Sequence, residues 1–137
     1  MYESLTSFIP KLQNDSYGKW FVDNENDGST EQPSHMPFVG YSQTAHEFID
    51  AVYDFVDSHE RMELGRYGDI LNKAGIEWGA DSMENANVEV LDGTTVMALI
   101  IGILRADRFC EGALLGFLKN GCIVKWLRRL QEIDESC

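Results

Sequence analysis

The stretch from Thr94 to Leu130, TTVMALIIGILRADRFCEGALLGFLKNGCIVKWLRRL, constrains the fold most. It is the densest apolar sequence in the chain, yet it carries Arg105, Asp107, Arg108 and Glu111 in its middle. An apolar segment of this density must be covered on most sides, so the rest of the chain is expected to pack onto it. Val96–Leu104 meets Arg105 well before the roughly 20 apolar residues that cross a bilayer. At 137 residues with 44% apolar content, the chain is long enough to bury one real core. The expectation is an α+β fold, mostly helical, in a single domain over residues 1–137. A helix and a small two-stranded ribbon would occupy 1–41 and a helical core 42–135.

The local pattern supports this layout. Leu5, Phe8, Ile9 and Leu12 fall at helical spacing, predicting a short amphipathic helix from Glu3 to about Asn14. Pro10 fits it only within a first turn, where the missing N–H costs nothing. Lys19–Val22 and Met36–Val39 are β-prone runs joined by a polar loop, with Pro37 marking an edge strand or an extended segment. Ser42 or Thr44, the latter in a capping box with Glu47, starts a helix whose buried face is Ala45, Phe48, Ile49, Val52, Phe55 and Val56. Tyr67, Ile70, Leu71 and Ala74 mark another helix, stopped by Gly75 with Ile76 behind it. Asp81 or Ser82 caps a short turn, and Val88–Leu91 fits either strand or connector. Asp92 or Thr94 caps the long apolar helix. Asn120-Gly121 stops it, and a last amphipathic helix follows with Lys125, Arg128 and Arg129 on its wet side.

The formal net charge is −12, with 23 acidic and 11 basic residues. Such a balance disfavours direct binding to nucleic acid or to an anionic membrane and favours a basic partner. The charge is uneven. Residues 1–60 hold eleven acids against Lys11 and Lys19, whereas residues 101–137 hold six bases against five acids. Cys110, Cys122 and Cys137 have no paired spacing, and the N-terminus lacks a leader pattern, so a cytoplasmic chain with reduced thiols is expected.

The segments RADRFCEGALLGFLKNGCIVKWLRRL, NENDG, HMPFVGY and YGDILNKAGIEWG resemble a bacterial family of unknown function found in Clostridia and related gut bacteria. The resemblance runs from Leu5 to Asp134. It implies a bacterial cytosolic protein of a kind that mobile elements can carry, and it supplies no activity, cofactor or catalytic residue.

Candidate sites therefore rest on the residues themselves. Arg105, Asp107, Arg108 and Glu111 sit within an apolar helix, where charges are seldom buried unless paired. An unbroken helix would put Asp107 on the core face with Val96, Ile100, Ile103, Cys110, Leu114 and Phe117; a break near Phe109–Gly112 would lift the charges to a corner. One reading makes them structural, with Arg108 paired to Glu111 and an arginine anchoring an acid from the N-terminal half. The other makes them an enzyme or anion-binding pocket, in which the arginines hold an anion and Asp107 or Glu111 handles a proton.

Asp23, Glu25 and Asp27 with Gly28 imitate the opening of a calcium loop, but Ser34 stands where the bidentate glutamate belongs, so a turn rich in Asx bonds is the better reading. His35, His46 and His59 are the imidazoles; His46 and Asp50 share a helix face but make too few ligands for a metal. Cys110 and Cys122 lie among apolar residues and read as core thiols. No cofactor motif is present, and none is expected to bind.

Glu47, Asp50, Asp54 and Asp57 recur at steps of three, four and three, lining one exposed stripe of a helix. Read plainly, this is a solvated face. Read functionally, it is a docking surface for a basic protein, such as one whose nucleic-acid groove it would fill. A second copy covering exposed apolar helices is a third reading.

Overall fold

The structure, a computed structural model, describes residues 1–14, 17–21, 38–110 and 112–136. In chain order these form α1 (Glu3–Thr6), α2 (Ile9–Gln13), β1 (Gly18–Phe21), β2 (Phe38–Tyr41), α3 (Gln43–Ser58), α4 (Tyr67–Lys73), α5 (Ala80–Glu84), α6 (Gly93–Ala106), α7 (Ala113–Lys119) and α8 (Cys122–Ser136). Single 3₁₀ turns stand at Glu60–Met62, Leu64–Arg66 and Val88–Val90. The α+β, mostly helical architecture with a small ribbon near the N-terminus is the one expected.

α6 is the axis of the molecule. Every residue from Thr95 to Leu104 is buried, as an all-round apolar helix requires. It packs against α4, α7, α8 and the Leu64–Arg66 turn, while α8 also receives α1 and α2, which in turn carry α3. A continuous cluster of buried side chains runs from Tyr2 through Phe48, Leu71 and Ile100 to Trp126 and Leu130. The amphipathic α8 buries Ile123, Trp126, Leu127 and Leu130 on one stripe.

The helix ends follow their local chemistry. Asp92 caps α6 by accepting from the Thr95 N–H at 2.8 Å. α4 closes in a Schellman motif: the Ile76 N–H reaches the Leu71 carbonyl at 2.9 Å and the Gly75 N–H the Asn72 carbonyl at 3.1 Å. Gly75 takes the left-handed φ of 77° that this geometry needs, and Ile76 is buried behind it. α7 stops at Asn120-Gly121, and the Asn120 side chain then accepts from the Cys122 N–H at 2.9 Å, capping α8.

Several expectations are corrected. The Glu3–Asn14 helix is two short ones, because Pro10 takes the second position of α2, within a first turn where its missing N–H is harmless. The second strand begins at Phe38 and pairs antiparallel with the first, Gly18 opposite Tyr41 and Phe21 opposite Phe38; Val22, Met36 and Pro37 lie outside the described residues. Ser42 caps α3 by accepting from the Ala45 N–H, so the Thr44–Glu47 box does not form; Glu47 instead accepts from the Gln43 amide at 3.2 Å. Neither Asp81 nor Ser82 caps α5, whose N-cap is Gly79; the Ser82 hydroxyl accepts from the Glu77 N–H. Of the two described cysteines, Cys110 is exposed because α6 ends before it, and Cys122 is a core thiol, with burial pushing its pKa up and the Glu84 carboxylate adding to the rise.

Candidate functional site

α3 carries a row of surface charge in helical register. Its apolar positions Phe48, Val52 and Phe55 are buried toward α1 and α2, which fixes the opposite side in solvent. Glu47, Asp50, Asp54 and Asp57 are all exposed there. Among the described residues the ion pairs join the Met1 amine to Glu3 and Asp134, and Arg129 to Glu132, so none of the four stripe carboxylates is neutralised by a close cation.

At the edge of this stripe stands Tyr53, three residues after Asp50 and four before Asp57. The guanidinium carbons of Arg105 and Arg108 lie 5.8 and 6.0 Å from its ring centre. The arginines therefore meet α3 through an aromatic face, a cation–π arrangement at the outer limit of its range, and among the described residues neither pairs with an acid of the N-terminal half. Arg105 is half-buried, and its Nε has no hydrogen-bond partner. The expected Arg108–Glu111 pair falls on Glu111, which lies outside the described residues.

Asp107 has a different occupation. α6 ends at Ala106, earlier than the break anticipated near Phe109–Gly112; a turn follows over residues 107–109, and Gly112, with a φ of 88°, starts α7 without a capping side chain of its own. Asp107 supplies the cap from seven residues away: Oδ1 accepts from the Leu114 N–H at 3.1 Å and from the Tyr41 hydroxyl at 2.8 Å. That same hydroxyl accepts from the Leu115 N–H at 3.1 Å. Two of the open N–H groups of α7 are thus satisfied by a carboxylate and a phenol, and the last residue of the ribbon is tied to the helix corner. Of the charged quartet, Arg105 and Arg108 come together on Tyr53, whereas Asp107 turns away to Tyr41.

Two surface features were not singled out from sequence. A groove of about 570 Å³ beside the Val88 turn brings Lys125, Arg128 and Arg129 of α8 next to Glu89 and Glu132. Arg129, expected on the wet side, is partly buried there; its Nε donates to the Leu91 carbonyl at 3.1 Å. The second feature is apolar: Phe109 and Trp78 are 82% and 47% exposed beside a cavity of about 250 Å³. Helical periodicity hides both, because each is assembled from segments distant in sequence.

The remaining expectations divide plainly. Asp23, Glu25, Asp27 and His35 lie outside the described residues. His46 is exposed with its ring against the edge of Tyr41, and His59 stacks on Phe55 at 3.9 Å with Nδ1 2.8 Å from the Phe55 carbonyl. Among the described residues no three His, Cys, Asp or Glu side chains gather as a metal site. No described helix is long and apolar enough to cross a membrane.

Residues 66–136 match a family of unknown function, DUF6508. The matched segment takes in α4 to α8, with Asp107, the apolar patch and the α8 side of the mixed-charge groove, while Tyr41, the ribbon and α3 precede it. No curated protein and no solved structure gives a significant match. The chain belongs to the DUF6508 family.

Proposed function

We propose that this is a bacterial cytosolic interaction protein, one domain throughout, that presents the acidic face of α3 to a basic protein. Inhibition of a nucleic-acid-binding protein is the most specific form of that role. The observation that carries it is the set of four exposed carboxylates in helical register without a close cation among the described residues. The neighbours Glu47–Asp50, Asp50–Asp54 and Asp54–Asp57 repel one another, each pair costing the helix about 0.2–0.5 kcal/mol. A cationic partner relieves that repulsion, and the gain falls with added salt. Because α3 precedes the segment that matches the family, the role is proposed for this chain and not for its relatives.

The test is affinity capture from host lysate by the wild-type chain and by a variant with Glu47, Asp50, Asp54 and Asp57 changed to Lys. The expected result is a basic protein retained by wild type, lost on reversal, and released from its nucleic acid as wild-type chain is titrated in. Retention that is indifferent to the reversal overturns the proposal.

A second reading, an anion-binding module or small enzyme centred on Arg105, Asp107, Arg108 and Glu111, is favoured by one observation, the buried and unpartnered Arg105 Nε. The cap that Asp107 supplies to α7 counts against it as a free proton carrier. Titration with inorganic phosphate tests it: saturable binding lost in Arg105→Met supports it, and no saturable binding removes it.

A further inference from the structure

We infer that the groove along α8 binds a short zwitterionic peptide, its carboxylate held by Lys125 and Arg128 and its ammonium by Glu89. The groove encloses about 570 Å³, within the usual range of small-molecule sites. α8 lines it from Gly121 to Glu132, a length of about 16 Å at the helical rise. Val88 and Glu89 line it from the 3₁₀ turn, and Gln13 from the end of α2. Part of the lining is already fixed. Arg129 Nε donates to the carbonyl of Leu91, the residue that closes that turn, at 3.1 Å, and Arg129 Nη1 pairs with Glu132 at 3.4 Å.

The other charges are open. Lys125 and Arg128 are exposed one turn apart on α8, Glu89 is exposed on the 3₁₀ turn, and none of the three has an ion-pair partner among the described residues. Charges of both signs therefore line one groove without closing on each other, which fits a ligand that carries both. A simple anion would gain Lys125 and Arg128 but face Glu89, on a chain whose net charge of −12 repels it. A simple cation would meet the reverse conflict at the two bases. A zwitterion answers all three groups and has no net charge to be repelled. Length selects a peptide over a single amino acid: an extended chain spans about 3.3–3.6 Å per residue, so about four residues match the groove. The exposed Gln13 amide can both donate to and accept from a peptide group, and Val88 and Val124 supply an apolar wall. No residue of α3 lines the groove, so this inference is independent of the function proposed above.

The experiment is an NMR titration of the full chain with tetra-alanine in three forms: both termini free, N-acetylated, and C-amidated. The free form should bind saturably and shift the backbone amides of residues 88–89 and 121–132. Blocking either terminus should weaken binding about tenfold or more, the effect of losing one charge-assisted hydrogen bond. Glu89→Gln should weaken the free peptide as much and make binding indifferent to N-acetylation. Lys125→Gln together with Arg128→Gln should do the same for amidation. All three positions are exposed, and unchanged circular dichroism confirms that the variants fold. No saturable shift with the free peptide, shifts that map elsewhere, or a blocked peptide that binds as tightly as the free one overturns the inference.

Discussion

Replacing Asp107 by Ala probes the corner between α6 and α7 more sharply than any other single change. In the wild-type chain one carboxylate oxygen serves the Leu114 N–H and the Tyr41 hydroxyl together. Loss of a capping side chain costs about 0.5–2 kcal/mol, and a hydrogen bond to a charged group is worth about 1.5–3 kcal/mol. Both sites are half-buried, so water recovers part of the loss. A destabilisation of about 2–3 kcal/mol follows, or roughly 7–10 °C in Tm for a chain of this length. Tyr41→Phe removes one bond to Asp107 and one from Leu115, and about 1–2 kcal/mol is expected. Because the two side chains share a bond, the double variant should fall short of additivity by about 0.5–1.5 kcal/mol. Urea unfolding followed by circular dichroism, with unchanged m-values, measures all three. Two single effects below about 0.5 kcal/mol, or strict additivity, would refute the capping role.

Two further outcomes test the packing and the thiols. A Cβ added at Gly93 would lie 2.7 Å from Tyr2 Cζ, and Tyr2 is buried and stacked on Phe55 at 5.4 Å. Gly93→Ala should therefore destabilise the chain by about 1–3 kcal/mol despite the better helix propensity of alanine, measured by the same unfolding assay. A more stable variant would contradict the placement of Tyr2. Native-state alkylation read by mass spectrometry should modify Cys110 quickly and Cys122 only on unfolding, since burial raises the Cys122 pKa. A thiol whose folded pKa is raised disfavours the native state as pH climbs past its unfolded value, so stability should fall above about pH 8.5. Equal labelling of the two cysteines would contradict the fold around α8.

Much of the scaffold was legible in the sequence, for physical reasons that can be named. Val96–Leu104 is apolar on every side, which leaves only the centre of the fold for it, and Gly75-Ile76 and Asn120-Gly121 state their helix ends locally. The exposed stripe of α3 follows from periodicity alone once Phe48, Val52 and Phe55 take the core. Partnerships across the chain were not legible. Tyr41 and Asp107 are 66 positions apart, and no local rule says that a ribbon tyrosine should help cap a helix. The same holds for Arg105 and Arg108 resting on Tyr53, and for the groove that gathers Arg129 with the Val88 turn. Cys110 looked like a core thiol because its neighbours are apolar, but α6 ends before reaching it and the turn carries it outward.

The central claim is that binding resides on the acidic face of α3 and that the arginine pair over Tyr53 is structural. One binding series decides between them. The captured partner is titrated at rising salt with wild type, with the variant carrying Lys at 47, 50, 54 and 57, and with the variant carrying Arg105→Met and Arg108→Met. The account predicts that wild-type affinity falls steeply with salt, that the α3 reversal removes binding, and that the arginine variant binds as wild type does while unfolding more easily. Binding that survives the α3 reversal but disappears in the arginine variant would contradict it.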